Sequence, residues 1–294
     1  MPQLVFVHGR GQEKKDALAV KREWLKALAE GLKKSGLTLP IGEQDVKLPF
    51  YGKTLFDLSS GVDADKAAEI IVRGAQDDAR ERAFMLSVLK EVQRKNQITD
   101  AQIRELAEGD EVIERGVLNN RFVQGLLRAV DRFVPGGSGA ALGLATKDVY
   151  AYISDPVIRA KINQGVRQAL SPRVPTVVVA HSLGSVVAYT LLKEEGKAAG
   201  WDVPLLVTVG SPLSVTAIKK AVAPNKHPAC VGKWLNALDP RDTVALYPMD
   251  KANFPIDPLI ENKVDIENKT ENRHGISGYL DDPVVAKRIF EFLG

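Results

Sequence analysis

The segment VVVAHSLGS, residues 177–185, decides the fold because a β-branched run meets a helical pattern at Ser182, a serine held between small residues. Short runs that are apolar on both faces are typical of buried strands in parallel sheets. Two interpretations of Ser182 are open at this point. It is either a nucleophile presented on a sharp strand-to-helix turn or the residue that caps the helix.

Strand and helix patterns alternate on both sides of this segment. The predicted strands are Leu4 to Val7, Val46 to Phe50, Thr176 to Ala180, Pro204 to Val209, Val231 to Leu238 and, more weakly, Val264 to Ile266. The predicted helices of this part are Ala17 to Leu32, Ser185 to Leu192, Ser214 to Val222 and Pro283 to Leu293. This alternation predicts an α/β fold with a doubly wound, mostly parallel sheet.

The character of the sequence changes between the second and third predicted strands. Residues 57–171 are rich in charges of both signs and predict several amphipathic helices, broken near Gly109, Gly116 and Pro135. The run Pro135 to Gly139 predicts a flexible or tightly turning loop. We therefore expect an α/β core formed by residues 1–56 and 172–294, with residues 57–171 inserted as a helical cap.

Composition narrows the class of protein. A net charge of +3 over 294 residues is too small to indicate nucleic-acid binding, and we expect none. The single cysteine, Cys230, allows no intrachain disulfide and suggests no thiolate metal site. The chain begins without the pattern of a leader peptide, and its longest uncharged window, residues 133–146, is too short to span a bilayer. These features predict a soluble, cytoplasmic protein.

Functional loops of parallel sheets follow the carboxyl ends of strands, and two glycine-containing turns lie there. Around Ser182 the residues two before and two after are Ala180 and Gly184, small enough for the strained turn of a nucleophile. The N–H of Leu183 would then point at a developing oxyanion. The loop after the first strand, HGRG at 8–11, offers the N–H of Arg10 as a second donor, although a glycine-rich turn without a ligand explains that loop equally well.

An acid and a base are needed after the serine in the chain. Asp239 and Asp242 both follow the fifth predicted strand, and Asp242 is favoured because it lies further into the loop, where it can reach a histidine. His274 is the one histidine of four that follows both serine and acid. Because members of a triad act as a unit, the presence of all the parts in this order favours a catalytic function.

The chain resembles the α/β-hydrolase superfamily, and within it the small serine esterases and lipases. The resemblance rests on VFVHGRG at the start, VVVAHSLGS, VGSPL at 209–213, WLNALDPRDTVA at 234–245 and HGISGYL at 274–280. It implies Ser182 as nucleophile, His274 as base, Asp242 as acid, and the backbone N–H groups of Arg10 and Leu183 as the oxyanion hole. It also implies an α/β-hydrolase sheet that lacks the first two strands of larger relatives.

The expected activity is hydrolysis of carboxylic esters, as an esterase or lipase, through an acyl-enzyme. A thioesterase or amidase would use the same triad, and a non-catalytic lipid-binding or scaffold protein of this fold is the alternative of another class. The expected partner is a small-molecule or lipid ester. The chemistry needs no metal and no organic cofactor.

Two further features concern lipids. Apolar residues between Gly116 and Ile153, among them Leu142 and Val149, either line an acyl pocket or pack the insertion onto the sheet. Basic residues near the start of the chain would suit an anionic membrane surface, but a solvated helix face explains them as well. These residues are Lys14, Lys15, Lys21 and Arg22.

Overall fold

A computed structural model describes residues 2–9, 16–51, 79–107 and 120–294. Within them lies one six-stranded sheet, all of whose neighbouring strands are parallel. The strands are β1 (Gln3–Val7), β2 (Val46–Lys47), β3 (Thr176–His181), β4 (Val203–Val209), β5 (Val231–Ala237) and β6 (Glu261–Lys263). Their order across the sheet is β2-β1-β3-β4-β5-β6. The predicted α/β class with a parallel sheet is therefore confirmed.

Helices flank this sheet. They are α1 (Ala17–Lys33), α2 (Ala79–Lys95), α3 (Asp100–Leu106), α4 (Asn120–Phe133), α5 (Gly139–Ser154), α6 (Pro156–Ala169), α7 (Leu183–Glu195), α8 (Thr216–Ala221), α9 (Ser277–Leu280) and α10 (Pro283–Phe290). Two short 3₁₀ turns, Glu43–Asp45 and Pro212–Ser214, precede β2 and follow β4. None of the helices in the described ranges is both long and apolar enough to cross a membrane.

The first helix illustrates how the sequence specifies an element. Asp16 caps α1 by accepting a hydrogen bond from the Ala19 N–H at 3.0 Å, and Gly36 follows its end with a φ of 69°. Between them the buried positions recur at helical spacing. One of them, Trp24, packs edge-to-face with Phe6 of β1, with ring centroids 5.1 Å apart. The helix therefore covers one face of the sheet with an apolar stripe.

Alternating residues of the long strands β1, β3, β4 and β5 lie in two separate hydrophobic cores, one on each face of the sheet. Leu4 and Phe6 of β1 lie in the core covered by α1, α9 and α10, whereas Val5 and Val7 lie in the core on the opposite face. The second core contains α7 and most of the helices between β2 and β3. Because successive strand residues point to opposite faces, the fully apolar strands are explained by a sheet covered on both sides.

The described part of the region between β2 and β3 contains five helices, α2 to α6, and no strand. Its apolar side chains, including Leu126, Leu142 and Val149, belong to the same core as Val5 and Val178 of the sheet. Packing onto the sheet thus accounts for most of these residues. Gly109 and Gly116 lie outside the described residues, so the predicted breaks there are untested.

Two predicted strands differ from the structure. The strand predicted at Val264 to Ile266 is wrong, because β6 lies at Glu261–Lys263. Its three residues are polar, and pairing with Leu235–Ala237 of β5 fixes their position rather than any apolar pattern of their own. The second strand covers only Val46–Lys47 of the predicted Val46 to Phe50.

A polar row crosses three strands. Thr208, Asn236 and Asn262 are register partners on β4, β5 and β6. The Thr208 hydroxyl donates to Asn236 Oδ1 at 3.1 Å, and the Asn236 amide donates to Asn262 Oδ1 at 3.0 Å. Thr208 and Asn236 are buried. The row therefore satisfies buried polar groups only when these strands are in this register.

The strand order reverses direction beside β1. From β1 the chain moves outward to β2 and then returns to β3 on the other side, so the reversal lies between β1 and β3. In open α/β sheets, ligands bind at the carboxyl ends of the strands beside such a point. His8 and Gly9 follow the end of β1, and Ser182 follows the end of β3.

Candidate active site

Ser182 occupies a strained turn between β3 and α7. Its φ of 54° and ψ of −128° lie outside the regions that a side-chain-bearing residue favours, a cost of about 1–3 kcal/mol. The side chain makes no capping hydrogen bond to α7, and the residue is only 3% exposed. Helix capping therefore does not explain this serine, and the turn instead holds its hydroxyl away from the helix.

Close packing around the turn requires small residues. A Cβ on Gly184 would collide with the carbonyl oxygen of Val7, and one on Gly9 would lie 2.7 Å from the Ser182 Cβ. The chain after β1 therefore passes directly beside Ser182. Ala180, which stands where the G-x-S-x-G pattern has glycine, is fully buried, so its methyl group is accommodated in the core.

His274 connects the serine to an acid. Its Nε2 lies 2.8 Å from Ser182 Oγ, and its Nδ1 lies 2.7 Å from Asp242 Oδ2. Since a carboxylate only accepts hydrogen bonds, Nδ1 carries the proton and Nε2 offers its lone pair to the serine hydroxyl. This is the tautomer that a general base for Ser182 requires.

The carboxylate of Asp242 accepts four hydrogen bonds. Oδ1 accepts from the N–H groups of Val244 and Ala245 at 2.8 and 3.3 Å, and Oδ2 accepts from His274 and from the Tyr279 hydroxyl at 2.6 Å. Burial alone would raise the pKa of Asp242. The attraction of the His274 ring in its protonated form and these hydrogen bonds outweigh burial, so the pKa of Asp242 is lowered and the carboxylate stays ionised.

Asp239 has a different environment, although it is also fully buried. Its Oδ1 accepts from the Arg241 N–H at 2.8 Å, and its Oδ2 accepts from the Asn268 N–H at 2.9 Å. These bonds tie the loop after β5 to the loop after β6. The structure thus brings Asp242, and not Asp239, to His274.

The predicted oxyanion donors are only partly described. Leu183 is the first residue of α7, and its N–H has no hydrogen-bond partner within the described ranges. It lies where the free N–H groups and the positive end of a helix favour an anion. Arg10 lies outside the described residues, so its predicted role is untested, but Gly9 before it is in place against Ser182.

Several buried groups around Ser182, His274 and Asp242 were not singled out as site residues from the sequence. Tyr279 holds Asp242, and Gly210, with a φ of 56°, lies so close that an added Cβ would be 3.1 Å from the His274 ring. Behind the serine, the Ser185 hydroxyl lies 2.5 Å from the Ser182 carbonyl oxygen and 2.7 Å from Ser211 Oγ. The sequence shows which glycines and hydroxyl-bearing residues follow the strands. It does not show which residues they contact, because those partners are distant in the chain.

The insertion reaches the loop that carries His274. Gly136, in the predicted glycine-rich loop, has a φ of 75°, and a Cβ there would lie 2.6 Å from Arg273 Cγ. A narrow apolar cavity separates α2 and α5 from the loops after β4 and β5. Its lining includes Leu142 and Val149 from the predicted pocket residues and Val244 next to Asp242.

Two basic residues of α1, Lys21 and Arg22, pair with the segment that leads into β2. Lys21 donates to the carbonyl oxygens of Glu43 and Val46, and Arg22 donates to the Glu43 carboxylate at 3.3 Å. These contacts account for both cations without a membrane. Lys14 and Lys15 lie outside the described residues. Among the residues that are described, no group of three or more His, Cys, Asp or Glu side chains is arranged to hold a metal ion.

No protein-family model matches the chain, and neither a curated protein nor a solved structure matches it significantly. Its function must therefore be inferred from the residues and their geometry.

Proposed function

We propose that the protein is a serine hydrolase that cleaves carboxylic esters, with Ser182 as nucleophile, His274 as general base and Asp242 as the orienting acid. We further propose that its core belongs to the α/β-hydrolase type, with the helices of residues 57–171 as a cap.

One observation carries the proposal. Ser182 Oγ, both ring nitrogens of His274 and Asp242 Oδ2 form a continuous hydrogen-bonded chain with links of 2.8 and 2.7 Å. A strained serine turn costs stability, and no capping bond of Ser182 offsets that cost. The buried Asp242 carboxylate is held ionised, and one of its hydrogen bonds comes from the histidine that reaches the serine. Their combination at one histidine favours catalysis over a scaffold function.

The first half of the reaction forms an acyl-enzyme. His274 Nε2 takes the proton of the Ser182 hydroxyl while Oγ attacks the ester carbonyl carbon. The carbonyl oxygen becomes an oxyanion, which the N–H of Leu183 stabilises, with the N–H of Arg10 as the expected second donor. The tetrahedral intermediate then breaks its bond to the alcohol oxygen, which leaves with the proton held by His274.

The second half regenerates the enzyme. His274 removes a proton from water as the water oxygen attacks the acyl carbon, and the resulting intermediate expels Ser182 Oγ, which recovers its proton from His274. Asp242 remains ionised throughout, because its negative charge stabilises the imidazolium formed in each half.

The apolar cavity beside Asp242 has a volume of about 10 Å³, which is room for about one water molecule and not for an acyl chain. Its aliphatic walls, such as Val88, Leu142 and Val149, pack α2 and α5 against the loops after β4 and β5. We propose an esterase or lipase because a serine, a histidine base and an acid are the groups that acyl transfer from an ester requires.

A fluorophosphonate probe and a panel of carboxylic esters of increasing acyl length test this function. Wild-type protein should label at Ser182 and hydrolyse esters, and Ser182→Ala should do neither while it keeps the same unfolding temperature. Ser214→Ala is a matched control, because this buried serine donates its hydroxyl to the Pro248 carbonyl oxygen and has no hydrogen bond to Ser182 or His274 in the described structure.

Labelling of Ser182→Ala at the wild-type rate, or a wild type that neither labels nor turns over any ester, contradicts the proposal. Thioesters and amides belong in the same panel, since the triad can attack these carbonyls too. Faster turnover of either class than of esters would replace the ester assignment with a thioesterase or amidase.

A further inference from the structure

We propose that His181, the residue before the nucleophile, is a positioning residue that fixes the backbone of His274 while remaining an uncharged imidazole. This inference rests on the proposed hydrolase function. Nothing in the reaction itself uses His181, which does not contact Ser182 Oγ or Asp242 by a hydrogen bond in the described structure.

The contact that supports the inference is direct. His181 Nε2 lies 2.7 Å from the carbonyl oxygen of His274, a residue 93 positions later in the chain. A carbonyl oxygen only accepts, so Nε2 carries the proton and donates it. The two imidazole rings are also adjacent, with centroids 4.7 Å apart, and His181 is only 6% exposed.

The hydrogen bond from His181 holds the backbone of His274 within a loop that has no regular secondary structure. Between the end of β6 at Lys263 and the start of α9 at Ser277, no helix or strand holds the segment that carries His274. His181 is the last residue of β3, in the centre of the sheet, and Ser182 follows it directly. One rigid strand end therefore positions both the nucleophile and the backbone of the base.

The surroundings of His181 keep its ring neutral. Trp24 of α1 presents its ring at 6.2 Å between centroids, Tyr279 of α9 at 6.3 Å, and the ionisable neighbours are His274, Asp242 and His8. Burial, and then the charge of His274, lower the pKa of His181 to about 3. Two adjacent imidazoles would repel each other if both were charged, so a neutral His181 leaves His274 free to accept the serine proton.

Two substitutions separate the donor from the bulk of the side chain. Gln in His181→Gln places an amide N–H about as far from Cα as Nε2, whereas His181→Met has similar length and no donor. We expect His181→Met to lower kcat on the order of tenfold with KM nearly unchanged, the effect of one ordinary hydrogen bond felt by the reacting groups. His181→Gln should restore most of that loss.

A spectroscopic readout accompanies the kinetics. The proton shared between His274 Nδ1 and Asp242 should give a low-field proton NMR signal, which should persist in His181→Gln and broaden or disappear in His181→Met. Equal kcat and an equal signal in the wild type and His181→Met would overturn the inference, and so would a loss of kcat that Gln does not rescue.

A measurement on the wild type covers the case in which His181→Met fails to fold. In ¹⁵N-histidine-labelled wild-type protein, the signals missing from His181→Gln belong to His181. They should report a neutral ring protonated at Nε2 across pH 5 to 8, within the range where an unperturbed histidine titrates. A charged ring or an Nδ1-protonated one would overturn the inference, whereas an active-site probe that fails to label the wild type would reject the hydrolase function instead.

Discussion

Removing the Tyr279 hydroxyl tests how the acid of the triad is held. In Tyr279→Phe, the ring still fills its buried site, but Asp242 Oδ2 loses a 2.6 Å hydrogen bond and keeps the bond from His274. The Tyr279 oxygen also accepts a bond from the Asp239 N–H, whose length of 3.4 Å makes it weak. The substitution therefore isolates one contact to a buried carboxylate.

The expected size of the effect follows from the charge on Asp242. A hydrogen bond to an ionised group contributes about 1.5–3 kcal/mol. Since Oδ2 remains bonded to His274, we expect a loss of unfolding free energy in the lower half of that range, about 1.5–2 kcal/mol. If all of it oriented His274 in the transition state, kcat/KM would fall by about 10- to 30-fold at most.

Urea unfolding at several pH values measures the loss. The folded-state pKa of Asp242 is depressed, so its ionised form stabilises the fold above the pKa of an unfolded aspartate, and this stabilisation is lost as the pH falls through the folded-state value. Part of the depression comes from Tyr279. The wild type and Tyr279→Phe should therefore differ at neutral pH and converge in acid.

Tyr189→Phe is the matched control. Tyr189 is equally buried, but its hydroxyl bonds to the uncharged backbone of Lys226 at 3.3 and 3.1 Å. Tyr189→Phe should lower the free energy of unfolding by only about 0.5–1.5 kcal/mol. This loss should be the same in acid as at neutral pH, and kcat should not change. A Tyr279→Phe loss below that of the control, or one equally large in acid, would refute the reasoning about the carboxylate.

Two further substitutions examine the acid and the ring of the base. Asp242→Asn should lower kcat on the order of 10⁴-fold in an ester assay, because the amide favours the wrong tautomer of His274. Asp239→Asn should reduce stability and leave kcat within a few-fold of the wild type. Similar losses of kcat in the two variants would reject Asp242 as the acid. Gly210→Ala should cost about 1–2 kcal/mol of stability for its φ of 56° and also reduce activity, because the methyl would press on the His274 ring. Gly36→Ala, at a φ of 69° with open space around it, should show only the stability loss in the same urea and ester assays, so an equal activity loss in both alanine variants would contradict the predicted contact.

Local patterns were enough to predict most of the sheet and the turn at Ser182. The β-branched run before Ser182 and the small residues around it are signals that lie within a few positions of one another, and the strand and helix appear where expected. The strand β6 was misplaced because polar residues with one neighbouring strand carry no such signal. Its place depends on pairing with β5, which lies far along the chain.

The contacts within the site join residues that are far apart in the sequence, so local patterns do not predict them. Asp239 and Asp242 are both buried in one loop, and loop reach together with the family resemblance favoured the second. What distinguishes them in the structure is the bond from Asp242 to His274, 32 positions away. His181 and Tyr279 gave no local signal of their contacts to His274 and Asp242. Ser182, His274 and Asp242 do lie together, while their catalytic roles stay predictions for the assays above.

The polar row of Thr208, Asn236 and Asn262 has a consequence for how the chain tolerates change. One residue of a strand advances about 3.3 Å, longer than either link of the triad, so a single-residue slip of β5 would carry the acid out of reach. The same slip would leave the buried amide and hydroxyl of the row unpaired, at about 1–3 kcal/mol for each group. A fold in which β5 is shifted by one residue is therefore less stable than the correct one, whether or not substrate is bound. Deletions inside β4, β5 or β6 should therefore remove both the fold and the activity. Insertions in the loops at the amino ends of these strands, away from Ser182, should leave both intact.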